Sequence, residues 1–559
     1  MSSVILAAIC GLAITPFFRW GIPSGHDFEF HMYSWMDVLA QWKQGILYPR
    51  WAALAHWGYG EARFLFYPPG SWTLGAALGA ILPWKVVPGA YCWIVLTAAG
   101  MSMRTLARQW LQASDALFAG AFYAVNPYHL LIVYWRSAYA ELLAAVLVPL
   151  CILCLLRLSE GRRRSILWLS LALAGAWLAN VPAAMMIHYS VAGLAMLLAW
   201  QQRSPRILIK TTLAILLGAG LASFYLVPAL YEQGWIKIAE VLSPGVRPQD
   251  NFLFTTIPDP DHNRFNLLVS LVASSAITVM VVAAWFARGK SDEDHQKDTD
   301  RFGEERLNPL PWVVLAFWGA ATAVLMLSVS NFLWKYLPEF RFVQLPFRWL
   351  LCLNAPLAIM LAMATRQSRS RSAVRSWFTR AIVAAILLAT LLIAGHRIQP
   401  PWWDQSADIE EMADSVSDGS GYEGTDEYVP ANADPYELKK DWPQVSNENG
   451  TPADVRIIAW NATEKHFAAH SASAETLIVR LFNYPAWRIT VGGELTQART
   501  LEVTGLIMVP VNAGENDVRI IFARTSDRLA GDIAWLISLI VLIAAWIKTQ
   551  SPNGKTGAA

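Results

Sequence analysis

The sequence predicts a mainly α-helical protein, a polytopic transmembrane helical bundle with a β-sandwich domain near its C-terminus. Of the 559 residues, 55% are hydrophobic and only 15% are charged, a balance too apolar for an ordinary soluble protein. Long apolar runs separated by short basic loops fill residues 1–397, and a polar stretch follows at 398–529. Lys and Arg (44) nearly balance Asp and Glu (42), so the chain lacks the strong positive field of a nucleic-acid-binding protein.

The apolar runs predict the transmembrane spans. A helix needs about 20 apolar residues to cross a hydrocarbon core about 30 Å thick, and about twelve runs approach this length. They lie at 4–20, 87–107, 115–134, 138–157, 165–181, 184–201, 208–229, 266–288, 310–330, 347–366, 379–397 and 530–548. The run from Trp72 to Pro83 would form a helix of only about 18 Å, so we expect it to lie along or dip into the membrane surface.

Basic residues predict which loops are cytoplasmic, because Lys and Arg concentrate in short loops on that side. The predicted spans place every large basic cluster on one side of the membrane. These clusters are Arg104/Arg108, Arg157/Arg162/Arg163/Arg164, Arg203/Arg206/Lys210, 288–306 and Arg366/Arg369/Arg371/Arg375/Arg380. Both termini are therefore expected to be cytoplasmic, with outer loops at 21–86 (the first long loop), 135–137, 230–265, 331–346 and 398–529.

The polar stretch 398–529 predicts an outer domain with two parts. Acidic residues dominate from Asp404 to Asp454 (the acidic segment), which we expect to be irregular and solvated. Alternating segments then predict strands at Val455–Trp460, Leu477–Phe482, Trp487–Val491, Leu506–Val511 and Val518–Phe522. Gly492-Gly493 is a two-residue hairpin signal, so a small β-sandwich is expected, followed by the last span and a tail at 530–559.

The five cysteines indicate buried thiols rather than a disulfide framework. Cys10, Cys92, Cys151, Cys154 and Cys352 lie in or beside apolar runs. Cys151 and Cys154 form a C-x-x-C pair, but among Leu, Val and Ala residues a core role is favoured over a zinc or redox site.

The first long loop carries candidate catalytic residues. Apolar residues at helical spacing predict an amphipathic helix on the membrane surface, namely Phe28, Met32, Trp35, Met36 and Leu39. Asp27, His31 and Ser34 share another face, where a carboxylate and an imidazole four residues apart are neighbours and could move a proton. The alternative is that Asp27 only caps the helix and His31 is a surface residue.

Arginines in the outer loops predict a site for an anion, because cations there run against the topological bias. Arg136 and Glu141 lie at the outer end of one predicted span, and Arg341 and Arg348 flank another. An arginine can hold a phosphate through two parallel hydrogen bonds. The alternatives are an ion pair between Arg136 and Glu141 and snorkelling of Arg348 to headgroup phosphates.

Motifs in these loops occur in an order that resembles a known family. They are H-D-x-x-x-H after the first span, G-x-L-Y-P-R-W, G-Y-G with F-x-F-Y-P-P, N-P-Y, R-S-A-Y-A-E, L-P-F-R-W and a closing F-N-Y-P-A-W. Over nearly the whole chain they resemble the bacterial polytopic proteins termed 6-pyruvoyl-tetrahydropterin synthase-related, kin to the GT-C glycosyltransferase superfamily. The pterin term is not expected to describe the chemistry, because a pterin synthase is a soluble zinc enzyme and this sequence has no His cluster with ligand spacing.

The resemblance implies a GT-C-like membrane glycosyltransferase that moves a sugar from a polyprenyl-phosphate carrier to an envelope glycan or lipid acceptor on the outer face. By motif position, Asp27 is the base or acceptor-binding acid, Glu29 the second carboxylate of a D-x-E, and His31 a neighbour. The implied phosphate ligands are Arg348 and Arg341, followed by Arg63 and Arg136. The implied supporting residues are His26, Arg50, Tyr67 and Glu141.

The implied reaction is an inverting displacement in which Asp27 accepts the acceptor's proton while the lipid phosphate departs. No cofactor or metal is expected, although a D-x-E segment also admits Mg²⁺ or Mn²⁺. The family often has His where this chain has Asn180, which weakens a proton relay at that turn. The resemblance also places the protein in the bacterial inner membrane, with the large domain periplasmic or extracellular.

Two other functions fit parts of the pattern. A lipid-linked glycan transporter would favour charged residues in mid-span and internal repeats, whereas the charged residues here gather at loop ends. A non-catalytic scaffold of envelope polysaccharide assembly would use the sandwich as its working part. Substitution of Asp27 separates both from a transferase.

Overall fold

The computed structural model describes residues 1–295, 312–365, 380–381, 383–385 and 403–550. The α-helices are α1 (Ser2–Ala13), α2 (Thr15–Trp20), α3 (Phe28–Lys43), α4 (Ala55–Gly58), α5 (Arg63–Phe66), α6 (Pro69–Gly79), α7 (Val87–Ala107), α8 (Ala113–Ala124), α9 (Pro127–Leu131), α10 (Tyr139–Ala144), α11 (Leu147–Ser159), α12 (Ser165–Ala179), α13 (Val181–Gln202), α14 (Arg206–Leu221), α15 (Ser223–Glu232), α16 (Pro260–His295), α17 (Trp312–Leu325), α18 (Asn331–Tyr336), α19 (Leu350–Ala364), α20 (Ser406–Ser417) and α21 (Ser526–Gln550). The strands are β1 (Ile22–Pro23), β2 (Trp403–Asp404), β3 (Val445–Asn447), β4 (Val455–Trp460), β5 (Glu464–Ser471), β6 (Glu475–Phe482), β7 (Trp487–Val491), β8 (Glu494–Thr496), β9 (Arg499–Thr500), β10 (Leu506–Val511) and β11 (Gly514–Phe522).

The helices form the predicted membrane bundle. Among the described residues, eight helical runs are long and apolar enough to cross a membrane, namely Ser2–Trp20, Trp84–Ala107, Ala113–Arg136, Tyr139–Ser159, Val181–Gln202, Pro260–Arg288, Pro346–Ala364 and Ser526–Thr549. Two more runs qualify only as bent pairs, Arg206–Leu221 with Ser223–Trp235 (78°) and Trp312–Leu325 with Ser328–Tyr336 (89°). The apolar helix α12 is shorter, and the span predicted at 379–397 falls mainly outside the described residues.

Helix α19 lies at the centre of the bundle. It packs against α8, α16 and α17, and nearly all of its side chains are buried, including Asn354 and the internal Pro356. Its first residue follows directly after the short turn Pro346–Trp349, so Arg348 is placed at the start of the most enclosed helix. All five cysteines are buried and free, as predicted.

Helix α3 of the first long loop faces the protein rather than the membrane surface. The apolar stripe predicted to rest on lipid is buried at Phe28, Met32, Trp35 and Met36. Trp35 stacks on Tyr91 and Tyr139 with ring centroids 4.9 and 5.3 Å away. Helix α6 lies on the same ring, and a Cβ at Gly75 would be 2.1 Å from Trp35 Cδ2. The prediction of a surface helix is therefore wrong, because neighbouring helices cover the stripe.

Two antiparallel sheets form a β-domain near the C-terminus. Their strand orders are β3-β6-β10-β9 and β4-β5-β11-β7-β8. Side chains of both sheets, such as Val479 and Val509 in one and Phe467 and Ile520 in the other, share one buried cluster. The sandwich and its five predicted strands are confirmed, and Gly492-Gly493 joins β7 to β8 as the hairpin signal indicated.

The acidic segment is more ordered than the sequence prediction. It contains α20, which begins with a capping box formed by Gln405 and Asp408. Ile409, Met412 and Val416 are buried on one face of α20, which packs against α3. The expectation of irregular, solvated chain is wrong here, because three apolar residues at helical spacing give the acidic helix a face to bury.

Candidate functional site

A buried carboxylate, that of Glu141, gathers two arginines beside the first long loop. Arg136 Nη1 lies 2.6 Å from Glu141 Oε2, and Arg348 Nε lies 3.3 Å from the same oxygen. Tyr128 donates its hydroxyl to Glu141 Oε1. Glu141 and Arg136 are only 2% and 3% exposed, so their charges interact with little screening by water. The ion pair considered from the sequence is present, and Arg348 joins it.

Local backbone signals bring these groups together. Asn126 of the N-P-Y motif caps α9 and accepts the backbone N–H of Tyr128 at 3.0 Å. Ser137 has a left-handed backbone (φ 49°), which reverses the chain between the run that ends at Arg136 and the run that contains Glu141. The R-S-A-Y-A-E motif therefore places its first and last residues side by side.

Asp27 is held next to this group by its own backbone. The Asp27 N–H donates to the Arg136 carbonyl at 2.9 Å, and the His26 N–H donates to the Trp135 carbonyl at 3.3 Å. Gly25 permits this approach, because a Cβ there would be 2.3 Å from the Trp135 oxygen. Asp27 precedes α3 but makes no side-chain cap, and its half-buried carboxylate acts electrostatically on both Arg136 and Arg348. We call Asp27, Arg136, Glu141 and Arg348 the Asp27 cluster.

Two predicted supporting residues face the Asp27 cluster. Burial and the charge of Asp27 raise the pKa of Tyr67, while Arg348 and Arg136 act in the opposite direction. Partial burial and Arg136 lower the pKa of His26, against the effect of Asp27. A protonated phenol and a neutral imidazole therefore border the carboxylate near neutral pH.

Arg348 keeps part of its guanidinium unused. Its Nη1 donates to Val343 O and to Gln344 Oε1, both at 2.9 Å. Its side chain is 11% exposed, and Nη2 has no hydrogen-bond partner within the described part of the chain. A positioned guanidinium with an unused edge can hold an anionic oxygen.

Aromatic rings border the Asp27 cluster on one side. Phe265 of α16 lies with its ring centroid 5.2 Å from that of His26, 5.5 Å from Trp135 and 5.8 Å from Phe347. The Arg136 guanidinium lies 5.6 Å from the Phe347 ring. Sequence reasoning missed Phe265, because one Phe near the start of a span carries no signal of its own. Trp135 and Phe347 directly precede Arg136 and Arg348 in the sequence, so the two arginines could have indicated these rings as site residues.

His31 and Glu29 do not join Asp27. His31 is buried, its Nδ1 lies 3.4 Å from Ser71 Oγ, and burial together with the Arg63 charge lowers its pKa to about 3. Asp27 is the N-cap residue of α3, and its carbonyl accepts the His31 N–H at 3.1 Å, so the expected i, i+4 backbone relation is present. The His31 ring instead contacts Ser71 and Tyr67, and no bond between the Asp27 and His31 side chains occurs among the described residues. Glu29 is exposed and acts instead on Tyr33.

Arg63 belongs to a second buried group, the Glu61 cluster, formed by Glu61, Arg63, His56 and Thr425. Arg63 Nε lies 2.5 Å and His56 Nε2 lies 3.0 Å from the two oxygens of Glu61, and the Thr425 N–H donates at 2.8 Å. Burial alone would raise the pKa of Glu61, but Arg63, His56 and Thr425 lower it to about 2. This cluster joins the first long loop to the acidic segment, and Arg63 is only 1% exposed.

The remaining two predicted arginines also lie apart from Asp27. Arg341 is exposed on the turn Phe340–Val343, with its guanidinium 5.1 Å from the ring of Phe342. Arg50 lines a separate cavity of about 560 Å³. The structure thus brings together Asp27, Arg136, Arg348 and Glu141 with His26 and Tyr67. His31 contacts Tyr67 of this group, with ring centroids 5.8 Å apart, whereas Glu29, Arg63, Arg341 and Arg50 lie apart from it.

Comparison with known proteins identifies the family of this chain. A family model described as a 6-pyruvoyl-tetrahydropterin synthase related domain of a membrane protein matches residues 64–399, more than half of the chain, and confirms the resemblance seen in the motifs. A search of curated proteins gives no match.

Three solved structures are similar to this chain at low TM-scores and low sequence identity. The arabinofuranosyltransferase AftD from Mycobacteria has a TM-score of 0.41 and 18% identity, over 71% of this chain and 26% of that one. ArnT from Cupriavidus metallidurans, bound to undecaprenyl phosphate, has a TM-score of 0.42 and 14% identity, over 74% of this chain and 70% of that one. The oligosaccharyltransferase AglB from Archaeoglobus fulgidus was solved in complex with an inhibitory peptide and a dolichol-phosphate. It has a TM-score of 0.43 and 11% identity, over 76% of this chain and 56% of that one. This chain spans about a quarter of the length of AftD.

Proposed function

This chain belongs to the 6-pyruvoyl-tetrahydropterin synthase related family of membrane proteins, and we propose that it is a glycosyltransferase that acts in or at a bilayer. It moves a sugar from a polyprenyl-phosphate carrier to an envelope glycan or lipid acceptor. The observation that carries the proposal is the backbone hydrogen bond from Asp27 to Arg136, which holds the half-buried Asp27 carboxylate within electrostatic range of Arg136 and Arg348. A base and a site for a leaving phosphate are thereby within reach of one substrate.

Asp27 acts as the general base. The acceptor hydroxyl gives its proton to the carboxylate as its oxygen attacks the anomeric carbon. The bond from that carbon to the phosphate oxygen breaks, its electron pair leaves with the phosphate, and the configuration inverts. Asp27 suits this role because its side chain makes no cap to α3 and stays partly exposed.

The arginines stabilise the charge that develops on the leaving phosphate. Arg348 offers its unused Nη2, while Glu141 holds Arg136 and Arg348 in place through one carboxylate oxygen. Charge that is fixed before the reaction needs no reorganisation during it. Glu141 is thus a positioning residue.

The carrier lipid is proposed to be a polyprenyl phosphate, the class to which the lipids bound to ArnT and AglB belong. In this chain, the Phe265, Trp135 and Phe347 rings provide an apolar border next to the arginines. Neither a metal nor another cofactor takes part in the proposed step. The proposed location is the bacterial inner membrane, with both termini cytoplasmic and the β-domain periplasmic or extracellular.

The test is transfer of labelled sugar by the purified full chain in lipid, from a panel of polyprenyl-phosphate sugars and with an envelope extract as acceptor. We expect wild type to transfer from at least one donor and Asp27→Asn to lose about 10²–10⁴-fold of the rate while keeping its thermal unfolding temperature. Absence of transfer from every donor would contradict the proposal and favour a scaffold or a glycan transporter.

A further inference from the structure

A cavity of about 560 Å³ lies where four parts of the chain meet, away from the Asp27 cluster. Tyr48 and Arg50 of the first long loop form one wall, and Phe224 of α15 and Trp535 of α21 form another. The end of the β-domain closes the cavity with Phe522. Part of a predicted outer loop thus meets two apolar helices around an open space.

The lining of this cavity is rich in positive charge. Three arginines face a single lining carboxylate, that of Asp532, which pairs with Arg524. Arg528 is held from behind by Glu232, with Nε and Nη2 at 2.7 and 2.9 Å from its two oxygens. The third arginine is Arg50.

Arg50 is not paired with any carboxylate of the described residues. Its Nη1 donates to the Phe224 carbonyl at a long 3.4 Å, and its guanidinium lies 4.6 Å from the Tyr48 ring. It is half-buried, and burial lowers its pKa, although an arginine stays protonated in proteins. Asp532 and Glu232 stabilise the Arg50 charge only from beyond ion-pair distance, and each is already paired with another arginine, so this position favours an incoming anion.

The Tyr48 hydroxyl supplies a second, independent sign of a missing ligand. Its oxygen is buried, and it has no hydrogen-bond partner among the described residues. The ring itself is fixed by Trp72 and Phe224, at centroid distances of 5.6 and 5.7 Å. A buried hydroxyl without a partner destabilises the folded protein, a penalty that a bound acceptor atom would remove.

The surface next to the cavity suits a hydrocarbon chain. Trp535 is 37% exposed, and Ile533 and Leu536 on the same helix are 51% and 50% exposed. Helix α21 contributes a span of which only 11% is buried in the protein, so most of its side chains face away from it. Aromatic residues beside such a surface are typical of the bilayer interface.

We propose that this cavity binds the phosphate of an anionic phospholipid, with Arg50 and Tyr48 as donors and an acyl chain along Trp535 and Ile533. The one lining arginine without a carboxylate matches the single negative charge of a phosphodiester. The site is separate from the proposed transfer reaction and would bind the lipid whether or not Asp27 is a base.

The test is lipid binding by the full chain in neutral detergent, followed by native mass spectrometry with phosphatidylglycerol and with phosphatidylcholine. We expect phosphatidylglycerol to bind at least about tenfold more tightly, and Arg50→Gln to remove this preference. Arg19→Gln is the matched control, since Arg19 is exposed and also lies over an aromatic ring, that of Trp20. Equal retention of the two lipids by wild type, or equal losses in the two variants, would overturn the proposal.

Tyr48→Phe tests the same site without removing a charge. Because the hydroxyl has no partner in the described protein, the lipid-free variant should unfold at the wild-type temperature or above it, yet bind phosphatidylglycerol about three- to tenfold more weakly. Unchanged binding would contradict the role of Tyr48. Competition separates the phosphate sources, because displacement by millimolar inorganic phosphate, or stronger binding of a polyprenyl monophosphate, would overturn the phospholipid assignment.

Discussion

The Asp27 cluster and the Glu61 cluster use the same chemical parts in different ways. Each contains a buried glutamate and at least one arginine from an aromatic-rich motif. Arg63, His56 and Thr425 surround both oxygens of Glu61, and the Glu61, Arg63 and His56 side chains are almost completely buried. Around Glu141, Arg348 keeps an unused nitrogen and Asp27 stays half-exposed. The two clusters therefore differ in exposure, since Arg63 is 1% exposed while the Arg348 side chain is 11% exposed and borders the half-exposed Asp27.

The largest effect is expected from opening the Glu61 cluster. Glu61→Gln leaves the Arg63 charge buried without its counter-ion, which should reduce the free energy of unfolding by about 3–5 kcal/mol. Denaturant unfolding of the purified protein measures this loss. Glu423→Gln is the control, because Glu423 is an exposed carboxylate of the acidic segment. If both variants unfolded alike, the Glu61 cluster would not stabilise the contact between loop and segment.

The next largest effect is expected on the transfer rate, and it distinguishes Arg348 from Arg341, which the sequence motifs predicted to have the same role. Arg348→Gln should lower the transfer rate by about 10²–10³-fold, because it removes a fixed donor to the leaving phosphate. Arg341→Gln should leave the rate within about threefold of wild type, because Arg341 is exposed outside the cluster. Initial rates at saturating donor give the comparison, and equal losses would remove Arg348 from its proposed role.

A smaller effect follows from His31, which lies between the two clusters. Its pKa is lowered to about 3 by burial and by Arg63, so the folded state stays neutral while the unfolded state gains a proton below about pH 6.5. Stability should therefore fall as the pH decreases, by about 2–3 kcal/mol between pH 6.5 and 4.5 from this residue alone. Unfolding curves over this range should show a shallower loss in His31→Gln, and identical slopes would contradict a buried neutral imidazole.

The smallest expected effect concerns metal ions. Because the proposed step uses only Asp27 and the arginines, treatment with EDTA followed by dialysis should leave the transfer rate within about twofold of wild type. Restoration of a lost rate by Mg²⁺ or Mn²⁺ would instead show that a cation holds the leaving phosphate.

The fold was largely predictable because its signals are local. Long apolar runs predicted the spans, and alternation predicted the strands of the β-domain. Strand β5 was not predicted, because its inward positions include Lys465 and Ser471 and only one large apolar residue, Phe467. Helix α20 was not predicted, because its acidic residues obscured the helical spacing of Ile409, Met412 and Val416.

The site was less predictable because it depends on distant contacts. The motifs indicated Asp27, Arg136 and Arg348. Helical spacing correctly placed His31 one turn after Asp27, but it could not show that the His31 side chain packs against Ser71 instead of the Asp27 carboxylate. Sequence alone cannot show that Arg63 belongs to a separate, enclosed cluster while Arg348 joins Glu141. Arg63 is paired with Glu61, and Glu61 is also contacted by Thr425, which is far along the chain, and by the buried His56. Which charges are satisfied is a property of the packed structure.

The central claim is that Asp27, and not its neighbour in the D-x-E segment, is the base. The most direct measurement compares single-turnover transfer rates of Asp27→Asn and Glu29→Gln in the same lipid and with the same donor. Glu29 is exposed and acts on Tyr33 rather than on the arginines, so its variant should react within about threefold of wild type. Asp27→Asn should lose about 10²–10⁴-fold. Equal rates for the two variants, or a larger loss in Glu29→Gln, would contradict the assignment.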